Sequence, residues 1–346
     1  MTTRGKVVAG VLAVVVVGVG AFIGYRILTK DPGEALFAGV PIIGQPAPPQ
    51  CAYTGEEARN EPRSLRPPIA VKIENSPDAR PQAGLDRADL VYEVEAEGGI
   101  TRFMAVFQCQ DVKRIGPVRS ARPVDIPLLK QFQDPLFAYA GASSAVQKMV
   151  TAVDIVDLNY VDAADAYVQD PARVAPHQFF TSTRALYGAA GKKGGTPEPL
   201  FAYAEDLDPK GTGKAEEIHL DFSPVADVFW SYDRRDDVYL RSHGTIPHTL
   251  ENGAQVSATN LVVMLVKRLS TGLVDSAGNP VPNYQVVGSG KALVFRGGRV
   301  ISGRWERDSA GDIATFVDRD GDEVALAPGR TWVTLFPTDH GPVEFS

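Results

Sequence analysis

Cysteine is nearly absent: the chain has two, Cys51 and Cys109. With so few thiols and no CxxC string, a Cys-rich zinc site is excluded, because its ligands would have to come mostly from histidine and carboxylate. Whether the two cysteines are bonded stays open, since an oxidising compartment favours a disulfide but a sequence carries no Cα separation. A basic excess is also lacking. Lys+Arg number 35 against 42 Asp+Glu, a net charge of -7, which argues against general nucleic-acid binding and confines any anion site to a local cluster. No GxSxG, HExxH or GxxxxGK[ST] string occurs, which counts against a serine hydrolase, a zincin or a phosphate loop. No metal and no cofactor are expected.

What is present begins with an apolar run from Val7 to Leu28, VVAGVLAVVVVGVGAFIGYRIL, whose only charge is Arg26. As a helix it would span about 33 Å, enough to cross a bilayer. A cleaved signal peptide would have a shorter apolar stretch and a small-x-small site, so an uncleaved single-pass anchor is expected. Arg4 and Lys6 are nearly matched by Arg26 and Lys30, and the short tail most simply stays in the cytoplasm, which puts the body outside it.

The expected organisation is a tail and anchor over residues 1–30, a Pro/Gly-rich linker over 31–66, an α/β sandwich over 67–205 and a mostly β domain over 214–346, a mixed α+β chain overall. The runs IAVKIEN, LVYEVEA, RFMAVFQ and LFAYAG read as strands, SSAVQKMVTAV as a helix capped by Ser143, and a second helix follows Thr181–Thr183. After the Gly-rich stretch Gly191–Gly213 come EIHLDF, VFWSYD, VYLRS, NLVVMLVKRL, YQVVG, KALVFR, VISGRWER, IATFVD, EVALAP and TWVTLFP, all read as strands. Gly297-Gly298 and Asp320-Gly321 suit tight hairpins.

The densest polar grouping lies between Lys72 and Arg122. Strand alternation places Glu93, Glu95 and Glu97 on one face, about 7 Å apart. Arg102 opens the next strand, and Arg119 and Arg122 follow the turn near Asp111. If that turn joins antiparallel neighbours, the three arginines converge with Glu93 and Glu97. Two readings stay open: ion pairs that settle register, or a pocket binding phosphate or carboxylate. His177 is a candidate general base or structural hydrogen-bonder. His248 reads as a turn residue, Trp230, Trp305 and Trp332 as core, and DRDGDE at Asp318–Glu323 as a hairpin turn rather than a calcium loop.

The strings VKIENSPDARPQAGL, DLVYEVEAEGGITRFMAVF, IGPVRSARP, APHQFFTST, VGSGKALVFRGGRV and APGRTWVTLFP resemble the YerB-like envelope lipoproteins over nearly everything from Cys51 onward. The resemblance implies a two-domain envelope protein and points to Asn75, Arg80, Gln82, Glu93, Glu97, Thr101, Arg102, Arg119, Ser120, Arg122 and His177 as ligand-binding. This chain departs from the pattern in having an apolar anchor and no lipobox. At the level of fold alone, the order of strands and Arg motif is also similar to the LytR-CpsA-Psr phosphotransferases, which handle polyprenyl-pyrophosphate. Arg102 stands where that family has a metal-binding acid, a departure that counts against metal-assisted transfer and leaves pyrophosphate binding open.

Two functions are therefore expected. The first is a membrane-anchored, extracytoplasmic module that binds an anionic cell-wall polymer, a lipid-linked precursor or an envelope protein. The second is a phosphotransferase-type enzyme acting on a polyprenyl-pyrophosphate-linked substrate. Catalytic residues, the ligand and the oligomeric state are not assigned by sequence.

Overall fold

The computed structural model describes residues 48–206, 212–275 and 278–346. The expected transmembrane helix and residues 31–47 of the linker lie outside these; among the described residues no helix is long and apolar enough to cross a membrane. Residues Pro48–Ser346 form one compact unit.

Its first part carries the strands β1 (Ile69–Glu74), β2 (Leu90–Glu95), β3 (Thr101–Phe107), β4 (Leu136–Tyr139), β5 (Val156–Asn159), β6 (Tyr167–Gln169) and β7 (Phe179–Thr181). Between them lie the helices α1 (Glu61–Ser64), α2 (Asp125–Leu129), α3 (Ser144–Val150) and α4 (Thr183–Ala190). The second part is all strand: β8 (Thr212–Lys214), β9 (Glu217–Ser223), β10 (Ala226–Asp233), β11 (Val238–His243), β12 (Ile246–Pro247), β13 (Ser257–Ala258) and β14 (Asn260–Val266). It continues through β15 (Arg268–Val274), β16 (Pro280–Tyr284), β17 (Gly288–Arg296), β18 (Arg299–Arg307), β19 (Thr315–Val317), β20 (Thr331–Pro337) and β21 (Glu344–Phe345). The mixed fold, mostly strand, is as expected.

One large sheet unites strands from both parts in the order β19-β18-β17-β14-β20-β2-β3-β1-β4-β5. Within it β20 runs parallel to both β2 and β14, with Thr331 level with Leu90 on one side and Asn260 on the other. β1, β2, β3 and β20 are buried along their whole length, so strands covered on both faces read as near-continuous apolar runs. Alternate residues feed two cores. Val71, Phe103 and Trp332 face the six-stranded sheet built on β9, β10 and β11, whereas Ala70, Met104 and Val333 face α2 and α3. Trp230, Trp305 and Trp332 are all core, as expected.

Local signals act as read. The Ser143 hydroxyl accepts from Val146 N at 3.3 Å and caps α3. Gly297 and Gly298, at φ 56 and 69, turn β17 into β18, a left-handed pair that suits a two-residue hairpin. At Asp318 the carboxylate accepts from the backbone of Asp320, Gly321 and Asp322, closing a turn between Val317 and Glu323. Three runs differ. NLVVMLVKRL breaks at Lys267 into β14, which stays with β20, and β15, which leaves the sheet to pair with β16 as a separate arm. YQVVG contributes only its ends, Tyr284 closing β16 and Gly288 opening β17, and EVALAP makes only isolated bridges, Glu323 with Val317 and Leu326 with Tyr203. In both cases buried apolar side chains fill core space without a neighbouring strand to complete a ladder.

Cys51 and Cys109 are joined in a disulfide, with Cα atoms 5.7 Å apart and a sequence separation of 58. This settles what composition left open, and it ties the first turn of the body to the end of β3. A loop of that length restricts the unfolded chain by on the order of 4 kcal/mol in the entropic account. Reduction, or Cys51→Ala with Cys109→Ala, should lower the unfolding free energy by about 2–4 kcal/mol in denaturant titration; an unchanged midpoint would show that the crosslink is dispensable.

Candidate functional site

β1, β4 and β5 run parallel, and the chain opens a crevice at their carboxyl ends, where open α/β sheets characteristically bind ligands. The segment 117–121 is inserted there. Val118 bridges Ile73, Arg119 N donates to Lys72 O, Ala140 N donates to Arg119 O, and Ala121 N donates to Gly141 O. The expected route was different, with this segment pairing beside β3. β3 is already flanked by β1 and β2, so the segment borders β1 instead, and its arginines reach Arg102 around the end of β1.

Antiparallel register sets Glu74 directly opposite Arg102. Arg102 Nε lies 3.5 Å from Glu74 Oε1 and its Nη1 lies 3.4 Å from Glu97 Oε2. Arg122 grips Glu97 through both Nε and Nη2, the latter at 2.7 Å, while Arg119 Nε pairs with the other oxygen of Glu74. Beneath them, fully buried Lys72 donates to Asp125 at 2.8 Å, and the second oxygen of Asp125 takes Arg122 N at 2.7 Å. Arg102, Arg119 and Arg122 thus share one side of the sheet. With Ser120, Gly141 and Val281 they line a cavity of about 470 Å³, which Asp275 also borders.

Burial alone would raise the Glu74 carboxyl, but Arg102 and Arg119 outweigh it and hold the group below the usual carboxylate range. Burial likewise pushes Glu97 up, and the Arg122 hydrogen bond followed by the charges of Arg122 and Arg102 reverses the direction. Burial lowers Lys72, opposed by Asp125. Arg102 is 5% exposed, and its Nε and Nη1 have no hydrogen-bond acceptor in the protein despite the long ion pairs. His177 lies within electrostatic reach of Glu74 and Arg119, its titration lowered by burial, with Nδ1 buried and unpartnered.

Not all the expected residues meet. The chain turns out of β2 after Glu95 through Gly98 and Gly99, at φ 71 and 74. That carries Glu97 away from the alternation expected of it and onto the arginine side. Glu93 stays on the opposite face with Thr101, and a second buried network forms there. Asn75 donates to Thr101 at 2.7 Å, Thr101 donates to Glu93 at 2.7 Å, Gln82 donates to Asn75 at 2.9 Å, and Arg80 donates to the Asn75 carbonyl at 2.8 Å. Arg241 of β11 closes it with an ion pair to Glu93 at 2.7 Å, both side chains at 0% exposure, and Trp332 Nε1 donates to the other Glu93 oxygen at 2.9 Å. Asn75, Arg80, Gln82, Glu93 and Thr101 therefore belong to this network. Glu97, Arg102, Arg119, Ser120 and Arg122 form the cavity cluster, with His177 beside it.

Lys72, Glu74 and Asp125 were missed because single charges within apolar runs or short helices carry no spacing signal. His248 is corrected from a turn residue to a buried one, 2% exposed. Its Nδ1 faces Arg241 Nη1 at 2.8 Å and its Nε2 faces Gln82 Oε1 at 2.9 Å, which suits a neutral imidazole that accepts from arginine and donates to the amide.

Two domain models match this chain: the N-terminal domain of "Protein of unknown function (DUF3048)" over residues 53–196 and its C-terminal domain over 218–333. The chain belongs to this family. It is 31% identical over 280 residues to the "Putative lipoprotein YerB" of Bacillus subtilis (strain 168), covering 79% of this chain and 82% of that protein. The crystal structure of the YerB protein from Bacillus subtilis matches with a TM-score of 0.71 at 29% identity, over 83% of this chain and 96% of that one. The expected YerB-like resemblance is borne out. These matches do not show the likeness to the LytR-CpsA-Psr phosphotransferases.

The second network makes a testable statement about pH. Burial, then the charges of Arg241, His243 and Arg80, lowers His248 well below 6.5. The unfolded state therefore takes up a proton below about pH 6.5 that the folded state refuses, and stability falls as pH drops through that value. Between pH 6.5 and 5 the His248 contribution should decline by about 1.4 kcal/mol per pH unit. Comparing wild type with His248→Gln in denaturant titrations isolates it; equal pH slopes would mean that His248 is protonated in the fold.

Proposed function

We propose that the chain is a membrane-anchored envelope protein, with its body outside the cytoplasm, that binds an anionic cell-wall or lipid-linked ligand in the arginine cavity. The observation that carries the binding reading is Arg102. A guanidinium so deeply buried, with two donor nitrogens lacking a protein acceptor, sits in the wall of a cavity beside Arg119 and Arg122. Buried donors are ordinarily satisfied, and charged ones most of all. An oxyanion placed between the three arginines would supply acceptors in the bidentate geometry that guanidinium groups favour. His177, kept neutral by burial at ordinary pH, is a further donor or acceptor at the margin.

The location rests on separate support. The relative in Bacillus subtilis carries the name of a lipoprotein, the apolar run Val7–Leu28 has the length of a single span, and a disulfide joins Cys51 to Cys109, a bond that persists in oxidising compartments. A phosphotransferase acting on a polyprenyl-pyrophosphate-linked substrate has no observation on its side here.

Calorimetric titration with inorganic phosphate and pyrophosphate tests the binding reading. Arg122→Ala should weaken binding at least tenfold, as loss of a charge-assisted hydrogen bond predicts, and should also lower stability because Glu97 loses its two-point partner. A stability loss with unchanged binding would make the cluster a purely structural set of ion pairs. For location, a reporter enzyme active only outside the cytoplasm and fused after Ser346 should be active. Activity of a cytoplasm-only reporter at the same position would refute that arrangement.

A further inference from the structure

The arginine cavity does not end at its own walls. The β15–β16 arm stands at its edge, and on the arm's other side lies a larger cavity of about 690 Å³, lined by Glu97, Arg268, Leu269, Leu273 and Pro282 among others. Val274 and Val281 line both cavities. Glu97 links them as well, bordering the larger one while its carboxylate holds Arg122. A ligand anchored on the arginines therefore needs to pass only the end of the arm to enter the second space.

The chemistry of the two spaces differs. Arg268, the one cation lining the larger cavity among the described residues, is already engaged by Glu95 at 2.9 Å and Asp339 at 3.0 Å. An anionic group placed there would face Glu95, Glu97 and Asp339 with no free positive partner. The arm itself offers apolar surface. Leu269 and Val274 are 41% and 62% exposed, and with Leu273, Val281, Pro280 and Pro282 they make the arm's side of the space mainly hydrophobic. Burying such a surface against an apolar chain is favourable, whereas moving charge against it is not.

We infer that the ligand of the arginine cavity carries a single anionic head joined to an uncharged, mainly apolar remainder, which lies in the cavity across the β15–β16 arm. This rests on the anion-binding reading above and narrows it, because a polyanionic polymer would bring further negative charge to an acidic wall.

The test is calorimetric titration of the full chain at fixed ionic strength with inorganic phosphate, hexyl phosphate and tripolyphosphate. Hexyl phosphate should bind at least tenfold more tightly than inorganic phosphate, and tripolyphosphate should gain no such advantage. Leu269→Asp, at an exposed position lining only the larger cavity, should erase the hexyl gain and leave inorganic phosphate binding unchanged. Arg122→Ala, or Arg119→Ala if the first variant fails to fold, should weaken both. Hexyl phosphate binding no tighter than phosphate, tripolyphosphate binding tighter than hexyl phosphate, or hexyl binding that survives the arginine variants would each overturn the inference. In those cases an arginine-dependent affinity for inorganic phosphate would still uphold the anion site. Absence of binding by all three would sink both.

Discussion

Glu93 and Arg241 form an ion pair from which solvent is wholly excluded, and the middle of the molecule is arranged around it. Each charge came out of water at a cost of several kcal/mol, which close geometry and added hydrogen bonds offset. Thr101 and Trp332 supply that bonding to the carboxylate, and His248 receives one arm of the guanidinium. Phe103, Trp230 and Trp332 surround the cation at 5.5–6.0 Å from ring centre to guanidinium carbon. The pair spans the main sheet and the six-stranded sheet, so the two parts of the chain cannot separate without exposing an unpaired charge on each side. To the β2–β20 ladder that joins the parts, the pair adds a buried electrostatic contact set in an aromatic shell.

On the opposite face of the same strands, charge is treated differently. Glu74, Glu97 and Asp125 are each shared by or matched to a basic side chain, yet Arg102 makes only long contacts with its two carboxylates. The two faces therefore divide the labour of the sheet. One carries the close Glu93–Arg241 pair that secures the assembly; the other sets a loosely paired, buried Arg102 beside Arg119 and Arg122 in the wall of a cavity.

Much of the sheet was legible because strands buried on both faces are written as dense apolar runs, and nearly every such run in the first part became a strand. The candidate site was legible in composition but not in placement. Alternation put Glu93 and Glu97 together, but β2 ends at Glu95 and Glu97 opens a tight turn, which sets the two on opposite sides in a way that a period of two cannot represent. Arg119 and Arg122 were recognised, but their neighbour was not, since sequence order favoured β3 whereas hydrogen bonding inserted the segment beside β1. Lys72, named only as the edge of the polar grouping, is fully buried against Asp125, fifty-three residues away. A partner at that distance leaves no local trace. The β15–β16 arm was hidden for a related reason: Lys267-Arg268 only ends the apolar run of β14 in sequence, whereas β15 leaves the sheet where the β14–β20 ladder stops at Val266 and Pro337.

The position of β20 bears on how the chain is made. This strand lies between β2 and β14 in the large sheet, yet it comes later in the chain than either of them. A polypeptide delivered amino terminus first presents β2 and β14 long before the strand that belongs between them has been synthesised, and each then shows an unpaired edge of the kind that recruits foreign strands. The central sheet is sealed only when β20 arrives. Acquisition of the fold therefore waits on that strand, and a product truncated before it loses the keystone of the sheet rather than a dispensable tail.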